Sequence, residues 1–262
     1  MPSYVVTGAS RGLGLEFVNQ LSADPKNAVF ALARNPQNAP KLLALQQTRT
    51  NLHAVTADIT DAAAAEVAKA TGGGLDVLIN NAAAVGTERW QLTLSTYKDD
   101  KLLEDDLVDQ FRTNVVGVVH TTNAFLPLLR AGAAKKVISL STGIAATDVT
   151  LGAAFTANAP YCVSKAALNL AVAKYAAELR PEGFTFLAIS PGLVNTAEKP
   201  PTAEELAGFQ AMVASFKMYA PHWDGAPITP ETSARLVLGI VEHATVNDTG
   251  AFLSHWGNQT FL

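Results

Sequence analysis

Apolar residues arrive along the chain in short runs separated by longer stretches of mixed polarity. Tyr4–Thr7, Ala28–Ala33, Leu52–Val55, Leu75–Asn80, Lys136–Leu140 and Phe184–Ile189 are rich in Val, Ile, Leu and Phe and do not alternate cleanly. That is the pattern of strands buried on both faces of a sheet. Between them lie segments with helical spacing: Leu13–Leu21, Lys41–Thr48, the alanine-rich Ala62–Ala70, a long Leu103–Arg130 and Pro160–Leu179. Glu204–Lys217 and Glu231–Glu242 follow as helices, and Ala251–Ser254 is a last short strand. The Gly72-Gly73-Gly74 break stops a helix just before a strand. Strand–helix repetition with right-handed crossovers predicts an α/β fold with a doubly wound parallel sheet in three layers, α/β/α. No linker, low-complexity tract or repeat divides residues 1–262, so they read as one domain.

Composition narrows the class. The chain has 262 residues, 48% hydrophobic and 16% charged, enough apolar material for a large core. A net charge of −4 argues against a nucleic-acid surface or a polybasic membrane anchor. The single cysteine, Cys162, cannot form an internal disulfide or a cysteine-based zinc site, so a reducing compartment is expected. No signal peptide and no apolar run of membrane-spanning length stands out. The expectation is a soluble, cytoplasmic protein with neither nucleic-acid nor membrane partners. The five histidines lack metal-ligand spacing, so no metal is expected.

The first strand runs into Thr7-Gly8-Ala9-Ser10-Arg11-Gly12-Leu13-Gly14, which opens the first helix. Glycines there permit a tight turn and close approach of backbone to a pyrophosphate, and the helix N-terminus offers free N–H groups to that anion. Further along come Asp58, Asn80-Asn81-Ala82-Ala83, Asn114, Tyr161-Cys162-Val163-Ser164-Lys165 and Pro191-Gly192-Leu193-Val194-Asn195-Thr196. With these motifs in this order, nearly the whole chain resembles the short-chain dehydrogenase/reductase family, in its single-domain, carbonyl-reductase-like branch. The resemblance implies a Rossmann fold and a nicotinamide cofactor.

For that cofactor the resemblance implies a binding set of Gly8, Ser10, Arg11, Gly12, Leu13, Gly14, Arg34, Asp58, Ile59, Asn81, Ala82, Ala83, Tyr161, Lys165, Pro191, Gly192, Val194 and Thr196. NAD enzymes end the second strand with an acid that accepts from the ribose 2′-OH. Here the strand ends Ala33-Arg34 with no acid nearby. Arg34 and Arg11 suit a 2′-phosphate, with Ser10 adding a hydroxyl. NADP(H) is therefore expected in preference to NAD(H). The plainer reading is two solvated surface arginines. Asp58 is either the residue that holds the adenine amino group or an acid at a helix N-terminus. Ala83 replaces a family glycine, which is tolerable if the backbone there avoids positive φ. Thr196 resembles the residue that contacts the nicotinamide carboxamide.

Tyr161 and Lys165 stand one helical turn apart on one face. A free tyrosine titrates near ~10, too high for neutral acid–base work, and a nearby ammonium lowers that value. The resemblance makes Tyr161 the proton-transfer group and gives Lys165 a second task on the nicotinamide ribose. A hydroxyl at the end of the fifth strand, Thr142 or else Ser141, would hold a carbonyl oxygen as charge develops. In the family, the position of Asn114 kinks its helix and holds a water of the proton relay. The flanks of Asn114 are apolar, which predicts burial. Cys162 is expected to be an inert thiol.

The stretch before Tyr161 is several residues longer than in most of the branch. The extra residues fall in Asp148–Asn158, either a wall of the substrate mouth or a tolerated surface loop. Residues about 197–230 gather Leu206, Phe209, Met212, Phe216 and Trp223 and are expected to lid the site. The activity implied is hydride transfer between NADP(H) and a small-molecule carbonyl or alcohol, with reduction of a bulky apolar ketone or aldehyde. A cofactor-binding sensor without turnover is the alternative. Epimerisation or dehydration fits less well, because little chain follows the sixth strand. Association through the two long helices into homodimers or homotetramers would match the family.

Overall fold

The computed structural model describes residues 1–57, 61–86, 88–197 and 200–262. Seven strands form one sheet: β1 Ser3–Thr7, β2 Ala28–Ala33, β3 Leu52–Thr56, β4 Val77–Asn80, β5 Lys136–Leu140, β6 Thr185–Ser190 and β7 Phe252–Ser254. Their order is β3-β2-β1-β4-β5-β6-β7, and every pairing is parallel. The chain starts mid-sheet, winds outward to β3, then returns beside β1 to build the other half. This is the doubly wound Rossmann topology, and the reversal between β1 and β4 opens a crevice at the carboxyl ends of the strands.

Consecutive strand residues serve opposite layers. Val5, Leu78, Val137 and Phe186 face one core, and Val6, Ile79, Ile138 and Leu187 face the other. Both faces are apolar, which is why the sequence does not alternate. The first core is covered by α3 (Asp61–Thr71), α5 (Gly117–Ala131) and α7 (Ala159–Leu179), which contribute Val67, Phe125 and Leu168. The second is covered by α1 (Gly12–Ala23), α2 (Pro40–Thr48) and α9 (Pro230–His243), which contribute Phe17, Leu42 and Val237.

Two sequence expectations change. The long helix read as Leu103–Arg130 begins earlier, as α4 (Asp100–Phe111), and is interrupted by a π-helical turn at Arg112–Val116 before α5. Extra residues in one turn disturb the regular bonding ladder and re-aim the side chains there. The stretch at 148–158 is not plain loop, because α6 (Thr147–Gly152) covers its first half. The segment beyond β6 carries α8 (Ala203–Tyr219), started by a capping box between Thr202 and Glu205.

Candidate active site

The glycine turn between β1 and α1 has a shape that only glycine permits. Gly8 and Gly12 adopt φ of +66° and +57°. Gly14 has ordinary backbone angles, but a β-carbon there would lie 2.3 Å from the Gly8 carbonyl oxygen and 2.4 Å from Asn81 Nδ2. Asn81 Nδ2 donates to the carbonyls of Thr7 (2.9 Å) and Gly8 (3.3 Å). Thr7 Oγ1 accepts from the N–H groups of Asn81 and Ala82, both at 3.0 Å. The turn is thus clamped to the end of β4. Ala83 avoids positive φ, the condition under which an alanine is tolerated there. No side chain caps α1, and its first turn holds no acid. This bare N-terminus fits a pyrophosphate.

Arg11 and Arg34 are exposed beside this turn, and among the described residues neither makes an ion pair. The strand–helix junction after β2 (Arg34-Asn35-Pro36) holds no acid. Ser10 is half-buried in the turn itself. Thr196 approaches from the other side: a β-carbon on Gly12 would sit 3.6 Å from its Cβ and Cγ2. Pro191, Gly192 and Val194 carry that segment across the strand ends, pinned where Val194 bridges Ile228. Asp58 and Ile59 lie outside the described residues.

The second half of the site hangs on α7. Pro160 opens this helix, where its missing N–H costs no bond. Tyr161 and Lys165 follow on one face, with Lys165 Nζ 5.9 Å from the Tyr161 ring centroid. Lys165 is 2% exposed. Its Nζ donates to the Leu140 carbonyl at 2.6 Å, which ties the pair to the carboxyl end of β5. Burial pulls the ammonium down to about 7 and pushes the Tyr161 phenol above its ordinary range. The sequence reading had the lysine lowering the tyrosine. Burial acts on the phenol in the opposite direction.

Beyond Leu140 the chain supplies two hydroxyls that point opposite ways. Ser141 is buried and donates to Asn169 Oδ1 at 2.6 Å. Thr142 is half-buried where a short 3₁₀ turn begins, and its hydroxyl makes no bond among the described residues. Asn114 is fully buried within the π-helical turn. Its Nδ2 is shared among the Ala84 carbonyl, Gln110 Oε1 and Ser164 Oγ, each at 3.0 Å, and its Oδ1 accepts from Ala84 N–H at 2.9 Å. Ser164 in turn donates to the Tyr161 carbonyl at 2.7 Å. Asn114 therefore locks the loop after β4 to α7.

A model of the family described as short chain dehydrogenase matches residues 3–207. The chain belongs to that family. This dehydrogenase is 47% identical to the short-chain dehydrogenase/reductase AacuF of Aspergillus aculeatus and 41% identical to the short chain dehydrogenase virK of Hypocrea virens. Both matches cover all of each chain. Among solved structures it resembles an NADPH-bound carbonyl reductase from chicken fatty liver, with TM-score 0.78, 28% identity and 98% of each chain covered. The carbonyl reductase Sniffer of D. melanogaster shares the fold with TM-score 0.79 at 23% identity. The protein is thus an oxidoreductase by family.

Sequence reasoning passed over Gln110, Ser164 and Asn169, all polar partners of site residues. Helical spacing was the available signal, since Gln110 precedes Asn114 by one turn and Asn169 follows Lys165 by one turn. It also left open the purpose of residues 148–158. Ala153 and Phe155 there pack on Phe216 of α8, with Ile144, Ala157, Cys162, Met212 and Trp223 around them. This apolar cluster joins the stretch before Tyr161 to the expected lid. Cys162 sits in it with its thiol pushed up to about 12 by burial, which fits an inert role. Among the described residues no group of acids, histidines or cysteines forms a metal site, and no helix is long and apolar enough to cross a membrane.

Proposed function

We propose that this protein is an NADPH-dependent reductase of bulky, apolar ketones or aldehydes. The observation that carries the reading is the 2.6 Å bond from Lys165 to the Leu140 carbonyl, which ties the Tyr161–Lys165 pair to the strand end that leads into Thr142. A nicotinamide cofactor, when bound, would supply the hydride. Tyr161 gives its proton to the substrate oxygen as negative charge develops there. Burial holds the phenol above its ordinary range, so its proton leaves only as charge builds on the substrate oxygen. Thr142 donates a second hydrogen bond to that oxygen, since Ser141 is committed to Asn169. Lys165 orients the ribose, and Asn114 holds the helix register through Ser164.

The preference for NADP(H) over NAD(H) rests on Arg11 and Arg34 and on the missing acid after β2. The NADPH-bound relative supports it. Residues about 197–230, carrying α8, act as the lid, and the aromatic cluster beneath them favours a neutral substrate. Leu107, Val108, Phe111, Val116, Pro160 and Val163 line an open apolar groove on α4 and α7, where Val108, Phe111 and Val163 are 44–49% exposed. A second copy of the chain docks on that face in this reading.

The test follows NADPH and NADH absorbance separately with ketones, aldehydes and quinones. Turnover with NADPH is expected. Binding of NADPH without consumption would make the protein a sensor, and a preference for NADH would remove the roles given to Arg11 and Arg34.

A further inference from the structure

The last residues of the chain reach the catalytic strand end. After β7, Ser254 N–H donates to the Asn258 carbonyl at 2.7 Å, and Ser254 Oγ donates to Asn258 Oδ1 at 2.8 Å. Thr260 N–H donates to the same Oδ1 at 2.8 Å. These bonds turn the chain back over the sheet. Phe261, 8% exposed, then stacks on Phe252 with ring centroids 4.5 Å apart. Its other side meets Gly143, the residue next to Thr142. A β-carbon on Gly143 would lie 2.7 Å from Phe261 Cβ and 3.3 Å from its Cγ. Gly143 is thus the recess into which Phe261 fits. Leu262 continues into the apolar cluster of Phe155, Met212, Phe216 and Trp223. Its carbonyl oxygen pairs with His222 Nε2 at 3.2 Å, just beyond α8.

These contacts join three parts of the molecule: the outer strand β7, the strand end that bears Thr142, and the lid. We propose that Phe261 and Leu262 form a wall of the substrate pocket and determine its specificity for ring-bearing apolar carbonyl compounds. The inference rests on the reductase reading and adds a specificity element that lies outside the lid. Its chemistry follows from the neighbours. The nearby side chains are aromatic rings, a thioether and aliphatic groups, which attract flat apolar faces and offer no charge to an anion. Shortening Phe261 removes contact area that a bulky substrate uses and a small one does not reach.

The experiment compares wild type, Phe261→Ala, Gly143→Ala and the double variant. Each is assayed with NADPH on 2-acetylnaphthalene and on propanal, and binding of 2-acetylnaphthalene is measured by calorimetry. The expected result for Phe261→Ala is a fall of roughly ten- to a hundredfold in kcat/KM for the naphthyl ketone relative to propanal, carried mainly by KM. Calorimetry should show the same loss of affinity. Gly143→Ala should act alike, because its methyl group displaces Phe261. The double variant should lose no more than either single one, because the two changes act on one contact. An unchanged substrate ratio and ketone affinity in Phe261→Ala, or additive losses in the double variant, would overturn the proposal. Binding of the ketone by wild type without turnover would instead overturn the reductase reading, and the affinity changes would still decide the role of the wall. Failure of wild type to bind the ketone would overturn the wall itself.

Discussion

Lys165 is the most consequential buried charge in the protein, and its cost can be read from stability against pH. The ammonium is lowered from its ordinary 10.5 to about 7 because burial removes its water. In the unfolded chain it recovers the ordinary value. Between about pH 7 and 10 the unfolded lysine therefore binds a proton that the folded one lacks, so stability rises with pH across that window. Below pH 7 the full penalty applies, and it lifts as pH rises through the folded value. A pKa difference of this size is worth about 2 kcal/mol of added stability between pH 7 and pH 9. The Cys162 thiol, raised to about 12, subtracts from stability mainly above its ordinary 9.0, so the interval below pH 9 belongs mostly to the lysine. Lys136 is also lowered by burial and adds to the wild-type slope, so the measurement has to be a difference. Urea midpoints of the cofactor-free protein, followed by tryptophan fluorescence at pH 7, 8 and 9, should rise in wild type. Lys165→Met should flatten that rise by about 2 kcal/mol. The absolute stability of the variant is a poorer guide, because the Leu140 carbonyl loses its donor. Equal slopes in the two proteins would refute the claim that this lysine is strained by desolvation.

Four other outcomes are expected. Tyr161→Phe should lower kcat by roughly a hundred- to ten-thousandfold, with NADPH binding by fluorescence titration nearly intact. Thr142→Val should cost about a hundredfold in kcat through the lost oxyanion donor, whereas Ser141→Ala should act mainly on thermal stability through Asn169. Gly14→Ala should destabilise the fold by about 1–3 kcal/mol in urea titration and weaken NADPH binding, because its methyl group meets the Gly8 carbonyl and Asn81. Val108→Lys with Val163→Lys should shift sedimentation toward monomer, since both residues face the open groove on α4 and α7.

The sheet was legible because each strand carries its own evidence. Val5 and Val6, or Val137 and Ile138, are both buried on opposite faces, so a double-sided apolar run is a local signal. The glycine turn and the Tyr161–Lys165 pair were legible for the same reason, since spacing within one element fixes their geometry. The π-helical turn was less so. Asn114 is a poor helix-interior residue, which hinted at a disturbance, but only the three-way sharing of its amide explains where the turn falls. α6 was hidden by its Gly- and Thr-containing composition, which propensity assigns to loop. It holds because Val149 is buried and the chain just beyond it packs on Phe216 of α8.

The pKa pattern and the packing of Phe261 and Leu262 were beyond local reading for a single physical reason. The spacing of Tyr161 and Lys165 reports their mutual attraction, but desolvation depends on everything packed around them. Burial moves both groups toward their neutral forms, so the resting pair is a protonated phenol beside a weakly charged amine. A ligand that brings negative charge near Lys165 would restore the ammonium and with it the attraction on the phenolate side. The expected outcome is that cofactor occupancy lowers the Tyr161 value. Spectrophotometric titration of the tyrosines should reveal it: one phenol, absent in Tyr161→Phe, titrates at lower pH with NADP⁺ bound than without. A phenol indifferent to the cofactor would leave the lysine as a structural tie to β5 alone.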